Sequence, residues 1–402
     1  MNKVVNTTSL IFISLFLLIA CNKTEENNSA TDFKHSAIDA TFNGIISIDD
    51  VYDYQNEKIP AYITKANGLN NPQNNKKITL GRVLFYDVNL SVDNTVSCGS
   101  CHQQQFAFSD TAARSIGVNG LTGRHSMRLI NARFSRESKF FWNERAASLE
   151  EQTTMPIQDH AEMGYSGQDG DPGIEDLIQK LNGIEYYQEL VNWAYNDESA
   201  STKISEEKLQ ECLSQFIRSI QSFDSKYDDG RALVNNNNSP FPNFSQEENQ
   251  GMMLFSAPPT FGDSGIRTGG GFGCGGCHQA PEFDIDPNTR NNGFVGDLTN
   301  PAVLDLDNTR SPTLRDIVNS NGDPNGPMMH TASINSLAAV IGHYNRIIIR
   351  PGNNTIDPRL TPQGFPQQLN VTPQERGAVI AFLKTLTGKN VYTAEQWSNP
   401  FK

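Results

Sequence analysis

Cys98-Gly-Ser-Cys101-His102 is the stretch on which the reading of this chain turns. A Cys-x-x-Cys-His run is the attachment signature of a c-type haem. Two thiols at that spacing can each form a thioether to one haem, and the adjacent His supplies an axial nitrogen to the iron. The pattern returns at Cys274-Gly-Gly-Cys277-His278. Two such clamps, far apart in the chain, predict two covalently bound haem c groups in two modules, and therefore a redox protein.

The rest of the composition fits that expectation. The chain has 402 residues, 37% of them hydrophobic, and a formal net charge of −13. This acidic balance argues against nucleic acid as a partner. The load of Asn, Gly, Ser and Pro predicts long loops wrapped around cofactors. Of six cysteines, four belong to the clamps, leaving Cys21 and Cys212. A disulfide framework is excluded. Cys212 falls on the apolar face of an expected helix, where it reads as a small buried residue.

Lys3, the apolar run Leu10–Ala20 and the ending Leu18-Ile19-Ala20-Cys21 describe a secretory signal. The Cys after a small residue looks like a bacterial lipobox. Residues 1–21 are then a lipoprotein signal peptide, Cys21 the lipidated first residue of an exported, envelope-anchored protein, and 22–45 a flexible tether.

Helical patterning covers Leu80–Tyr86, Asp176–Tyr195, Glu206–Phe223 and Glu247–Ala257. Thr372-Pro-Gln-Glu375 is a capping box opening a helix through Leu386. The low-complexity break Asn235–Pro240 separates a first haem domain, 46–235, from a second, 240–402. The glycines before Cys274 read as room for backbone to approach a haem edge. Asp284-Ile-Asp286-Pro-Asn288 lacks the Gly and Glu of a calcium loop. The fold class is mainly α: two cytochrome-c-like haem domains with long loops and little β.

Further motifs carry a resemblance: Leu80-Gly-Arg-Val-Leu-Phe-Tyr-Asp, Phe141-Trp-Asn-Glu-Arg-Ala-Ala-Ser-Leu-Glu-Glu-Gln152, Pro156-Ile through Glu162-Met163-Gly, Ser311-Pro-Thr-Leu-Arg315 and Leu383-Lys-Thr-Leu-Thr-Gly388. Over roughly Ile78–Gly388 the chain resembles the bacterial dihaem cytochrome c peroxidases and their MauG-like relatives. The resemblance implies reduction of hydrogen peroxide to water with electrons from a small cytochrome or cupredoxin. They enter at the C-terminal haem and pass to the N-terminal one. It makes Glu162 the catalytic carboxyl, Gln152 the group orienting peroxide, and Trp142 the electron-transfer residue between the haems. His102 and His278 become proximal ligands.

Three positions depart from the peroxidase pattern. The loop Gly117-Val-Asn-Gly-Leu-Thr-Gly123 lacks the family's removable distal His, which predicts an open first haem; His125 is the neighbouring alternative ligand. His125 also stands where the family has an Asn that helps bind an interdomain calcium, so calcium is allowed rather than required. The distal ligand of the second haem falls at Tyr344, the MauG-like choice, with His343, Met328 and Met329 as competitors. Two alternatives follow: a MauG-like dihaem oxidase acting through a high-valent haem state on a protein or other substrate, and a non-enzymatic dihaem electron carrier. A homodimer is allowed but not specified.

Overall fold

Ser36–Phe42 coils into a first helix, α1, whose Ile38 and Phe42 are buried. The Glu189 carboxylate accepts from the Ala37 and Ile38 amides, supplying the cap that α1 lacks locally. The computed structural model describes residues 1, 35–136, 139–196, 202–285, 287–300 and 302–401. The signal-peptide residues and Cys21 lie outside these. The tether expected to reach residue 45 gives way to packed chain at Ser36, because Ile38, Phe42 and Ile46 enter the first core.

The helices then follow in order. Asn74 caps α2 (Asn75–Tyr86), its Oδ1 accepting from the Lys76 and Lys77 amides at 3.0 and 3.2 Å. A short helix, α3 (Cys98–Cys101), carries the first thiol pair. Next come α4 (Leu149–Thr154), α5 (Ile174–Asn182), α6 (Glu185–Ala194), α7 (Glu206–Ser219), α8 (Lys226–Arg231) and α9 (Gln246–Ser256). The single periodic run expected at Asp176–Tyr195 is thus two helices, broken at Gly183-Ile184. Antiparallel pairs β1 (Pro259–Phe261) with β2 (Arg267–Gly270), and β3 (His278–Gln279) with β4 (Asp284–Ile285), are the strands of the described residues. The chain closes with α10 (Leu337–Asn345) and α11 (Pro373–Lys384).

Two helix pairs organise the packing: α2 on α7, and α9 on α11. Each pair has a glycine at its point of closest approach. A Cβ on Gly81 would run into the Cys212 carbonyl and lie 2.9 Å from the Phe216 Cβ; one on Gly251 would run into the Ala378 carbonyl and lie 2.8 Å from the Phe382 Cβ. A glycine facing a carbonyl, with a Phe four residues on, is the same joint made twice. Gly usually weakens a helix interior, but here it is the residue that lets two backbones touch.

Residues 36–402 form one compact unit with two hydrophobic cores. The first gathers α1, α2 and α5–α7; the second gathers α8–α11. The cores change over between Ile220 and Tyr227, ahead of the 235–240 break, because the Tyr227 ring packs on Phe283 and Phe382. The chain also recrosses. Val391 and Trp397 are buried in the first core. The Trp397 carbonyl accepts from the Tyr86 hydroxyl at 2.6 Å, and the Ser398 carbonyl from the Arg82 Nε at 2.7 Å. The expected span 240–402 therefore contains a tail that completes the first half.

Candidate functional site

A cavity of about 450 Å³ opens beside α3, within the roughly 300–1,000 Å³ typical of ligand sites. Cys98, Cys101 and His102 form one wall, and Gln152 and Glu162 also line it. The Ser97 amide donates to the Ser100 hydroxyl at 3.0 Å, starting a turn that puts the two thiols on one helix face. Gly99 is required there, since a Cβ would meet the Tyr86 ring.

His102 is held as a ligand needs to be. Ala107 and Phe108 both adopt left-handed backbone, with φ of 55° and 59°. That turn brings the Phe108 carbonyl within 3.2 Å of the His102 Nδ1, leaving Nε2 for the cavity. Burial pushes the imidazole down to about 4, so it is neutral and its nitrogen available. Burial pushes the Cys98 and Cys274 thiols up to about 12. Two thiols and one neutral imidazole on the wall of a large, partly apolar cavity fit a covalently held haem.

Glu162 faces the same space. Burial, aided by the Asp159 carboxylate and opposed by the Arg145 guanidinium, pushes its carboxyl up to about 7. Its backbone is clamped by the histidine-free loop. The Val118 amide donates to the Glu162 carbonyl at 3.0 Å, and the Asn119 amide to the Ala161 carbonyl at 3.3 Å. Gly117 and Gly123 from that loop line the cavity with backbone rather than a ligating side chain.

Beyond it lies a second cavity of about 120 Å³, lined by His278, Met328, Met329, His330 and Tyr344. His278 opens β3 and pairs with Ile285. The Tyr344 hydroxyl accepts from Asn292 Nδ2 at 2.9 Å, and burial pushes the phenol's pKa up. His343, one residue away, is absent from this lining; its Nε2 sits 2.9 Å from the Asn292 carbonyl. Of the sequence competitors, Tyr344 and the two Met residues reach the cavity and His343 does not. Among the glycines before Cys274, a Cβ on Gly271 would strike the Ala257 carbonyl, and one on Gly270 the Pro258 carbonyl, so these two admit the chain at the end of α9.

Trp142 and His125 line both cavities. The indole Nε1 donates to the His125 carbonyl at 2.8 Å, and the Trp142 carbonyl accepts from the Thr309 and Arg310 amides. His125 Nδ1 lies 2.9 Å from the Ala112 carbonyl. No cluster of three or more His, Cys, Asp or Glu side chains is gathered for a metal among the described residues. An imidazole is a poor ligand for a hard cation that prefers oxygen, so His125 does not suit a calcium ion. Cys212 is buried on α7, 3.3 Å from the Tyr195 hydroxyl. Asn292 and Arg128 were not foreseen from sequence, because isolated polar residues in loops carry no periodic or motif signal; Arg145 and Asp159 stood inside longer motifs without a role of their own.

The family model for Di-haem cytochrome c peroxidase matches residues 75–237. Methylamine utilization protein MauG of Methylophilus methylotrophus is 26% identical over 327 residues, which is 80% of this chain and 85% of that protein. Cytochrome c551 peroxidase of Nitrosomonas europaea is 25% identical over 330 residues, 79% of this chain and 81% of the relative. The crystal structure of a MauG-like protein associated with microbial copper homeostasis superposes with a TM-score of 0.66 at 26% identity, covering 86% of this chain and 99% of that one. With two haem clamps, a mostly helical fold and these relatives, the chain belongs to the bacterial dihaem cytochrome c peroxidase and MauG-like family of oxidoreductases.

Proposed function

We propose that this protein reduces hydrogen peroxide at its first haem site, with electrons arriving one at a time through the second. The observation that carries this reading is Glu162, a carboxyl poised at about 7 in the cavity that His102 also lines. A proton-transfer group works best when its pKa lies near the working pH. Haem supplies the iron that binds peroxide and passes it electrons. Glu162 takes the proton from the near peroxide oxygen and hands it to the far one, which leaves as water when the O–O bond breaks. Two electrons and two further protons complete a second water. Gln152 orients peroxide by hydrogen bonding. Trp142, which lines both cavities, connects the second site to the first. His102 and His278 would hold the two irons, and the pairs Cys98/Cys101 and Cys274/Cys277 would attach the haems.

The electron donor is a small cytochrome or cupredoxin. Peroxidase relatives named for cytochromes support that class. The Leu18–Cys21 ending supports export and lipid anchoring at the envelope.

A second reading is favoured by Tyr344, whose phenol faces the second cavity under an Asn292 hydrogen bond. It assigns a MauG-like oxidase acting on a protein or other substrate. Mixing the reduced holoprotein with peroxide and a panel of reduced small cytochromes separates the two. Sustained donor oxidation, with two equivalents consumed per peroxide, is expected. Haem oxidation without donor turnover transfers the assignment to the oxidase, and inertness to peroxide leaves only electron carriage.

A further inference from the structure

Buried arginines in this protein are generally matched. Arg315 makes a bidentate pair with Asp228, both contacts 2.9 Å, and donates also to the Ser222 and Pro281 carbonyls. Arg218 pairs with Glu150. Arg128, which is half-buried, differs in its counter-charge. Its Nε is shielded from solvent and, like that of Arg315, has no hydrogen-bond partner among the described residues. Among those residues its one hydrogen bond runs from Nη1 to the Thr313 carbonyl at 3.4 Å. Among the described residues no carboxylate lies within ion-pairing reach of it. Asp316 attracts it only through space.

A guanidinium on a cavity wall with no carboxylate beside it is suited to an anionic group held in that cavity. Arg128 lines both cavities, beside Trp142 and His125 on the partition between them. Each cavity adjoins an attachment motif for a haem, and each haem carries two propionates. A carboxylate is the planar acceptor that an Arg fork matches.

We propose that Arg128 is the receptor for a haem propionate at the partition between the two sites, and that its charge sets the midpoint potential of the haem it holds. The proposal rests on the chain carrying haem and is independent of whether peroxide is the substrate. A nearby cation stabilises the iron that has gained an electron, so removing it lowers the potential.

The test is spectroelectrochemical titration of the holoprotein, with haem content measured first and the two haems resolved by their spectra. In Arg128→Gln the midpoint of one haem is expected to fall while the other stays in place; which one moves identifies the propionate's owner. Arg128→Lys, which keeps the charge, should stay close to wild type. Unchanged midpoints in fully loaded Arg128→Gln overturn the proposal. So does an equal fall in Arg128→Lys, which would assign packing rather than charge. Should Arg128→Gln fail to load, the propionate bending mode in the resonance Raman spectrum is compared between wild type and Arg128→Lys. A shifted mode supports the contact and an identical one overturns it.

Discussion

The Val118 amide donates to the Glu162 carbonyl over 3.0 Å, so the loop that lacks a histidine holds the residue whose carboxyl burial pushes up to about 7 in the first cavity. Gly117 makes this approach possible, because a Cβ there would strike the Ala161 carbonyl and the Glu162 backbone. The histidine-free loop thus serves as a backbone brace for residues 161–162.

Gly117→Val tests the brace. The added side chain must push residues 161–162 away, and a displacement near 1 Å can cost on the order of 10²-fold in rate. We expect slower reaction with peroxide at unchanged haem content, read by stopped-flow absorbance. A rate equal to wild type would mean that the loop does not position Glu162.

Glu162→Gln removes the proton carrier while keeping shape. Turnover should fall by roughly 10²–10⁴-fold. In the native protein the rate should drop as pH falls through about 7, because the carboxylate must be free to accept the proton. Stability runs the other way. The folded carboxyl holds its proton up to about 7, against an ordinary value of 4.5. Its contribution is therefore full below 4.5 and lost as pH rises through 7. Glu162→Gln should thus raise Tm relative to wild type at pH above 7 more than at acid pH. A flat pH–rate profile in the wild type would remove Glu162 from the mechanism.

Tyr344→Phe deletes the hydroxyl that Asn292 contacts at 2.9 Å and that faces the second cavity. If that oxygen is the distal ligand, the ferric spectrum of the second haem changes and its potential rises, since an anionic ligand favours ferric iron. Electron paramagnetic resonance on the oxidised variant is the check, and an unaltered spectrum would hand ligation to Met328 or Met329.

Asp228→Ala strands the fully buried Arg315, whose fork also reaches Ser222 and Pro281. Removing one partner of such a pair costs about 3–5 kcal/mol. Denaturant unfolding should show a loss of that size, while a loss below ~1 kcal/mol would mark the pair as replaceable by water.

Much of this was legible because it is local in sequence. The clamps, the helix ahead of Cys98 and the Thr372 cap each sit within a few residues, where spacing alone carries the chemistry. Tyr344 was findable because Leu337, Val340 and Ile341 define the inward face of α10. The helix at Ser36 was missed because its cap, Glu189, comes from a distant part of the chain. Arg128 was missed because a charge on a loop looks solvated until two cavities close around it. Gly81 and Gly251 were silent for a similar reason: an absent side chain leaves no pattern, and only the opposing carbonyl explains it.

The returning tail has a consequence for the order in which the protein can be completed. Tyr86 packs against Gly99, between the first pair of thiols, and its hydroxyl is fastened by the Trp397 carbonyl. That fastening waits for a residue 311 positions further along the chain. During synthesis the first clamp therefore exists without its final strap, and deletion of residues 391–398 would loosen the first cofactor site, the one farther from the cut along the chain.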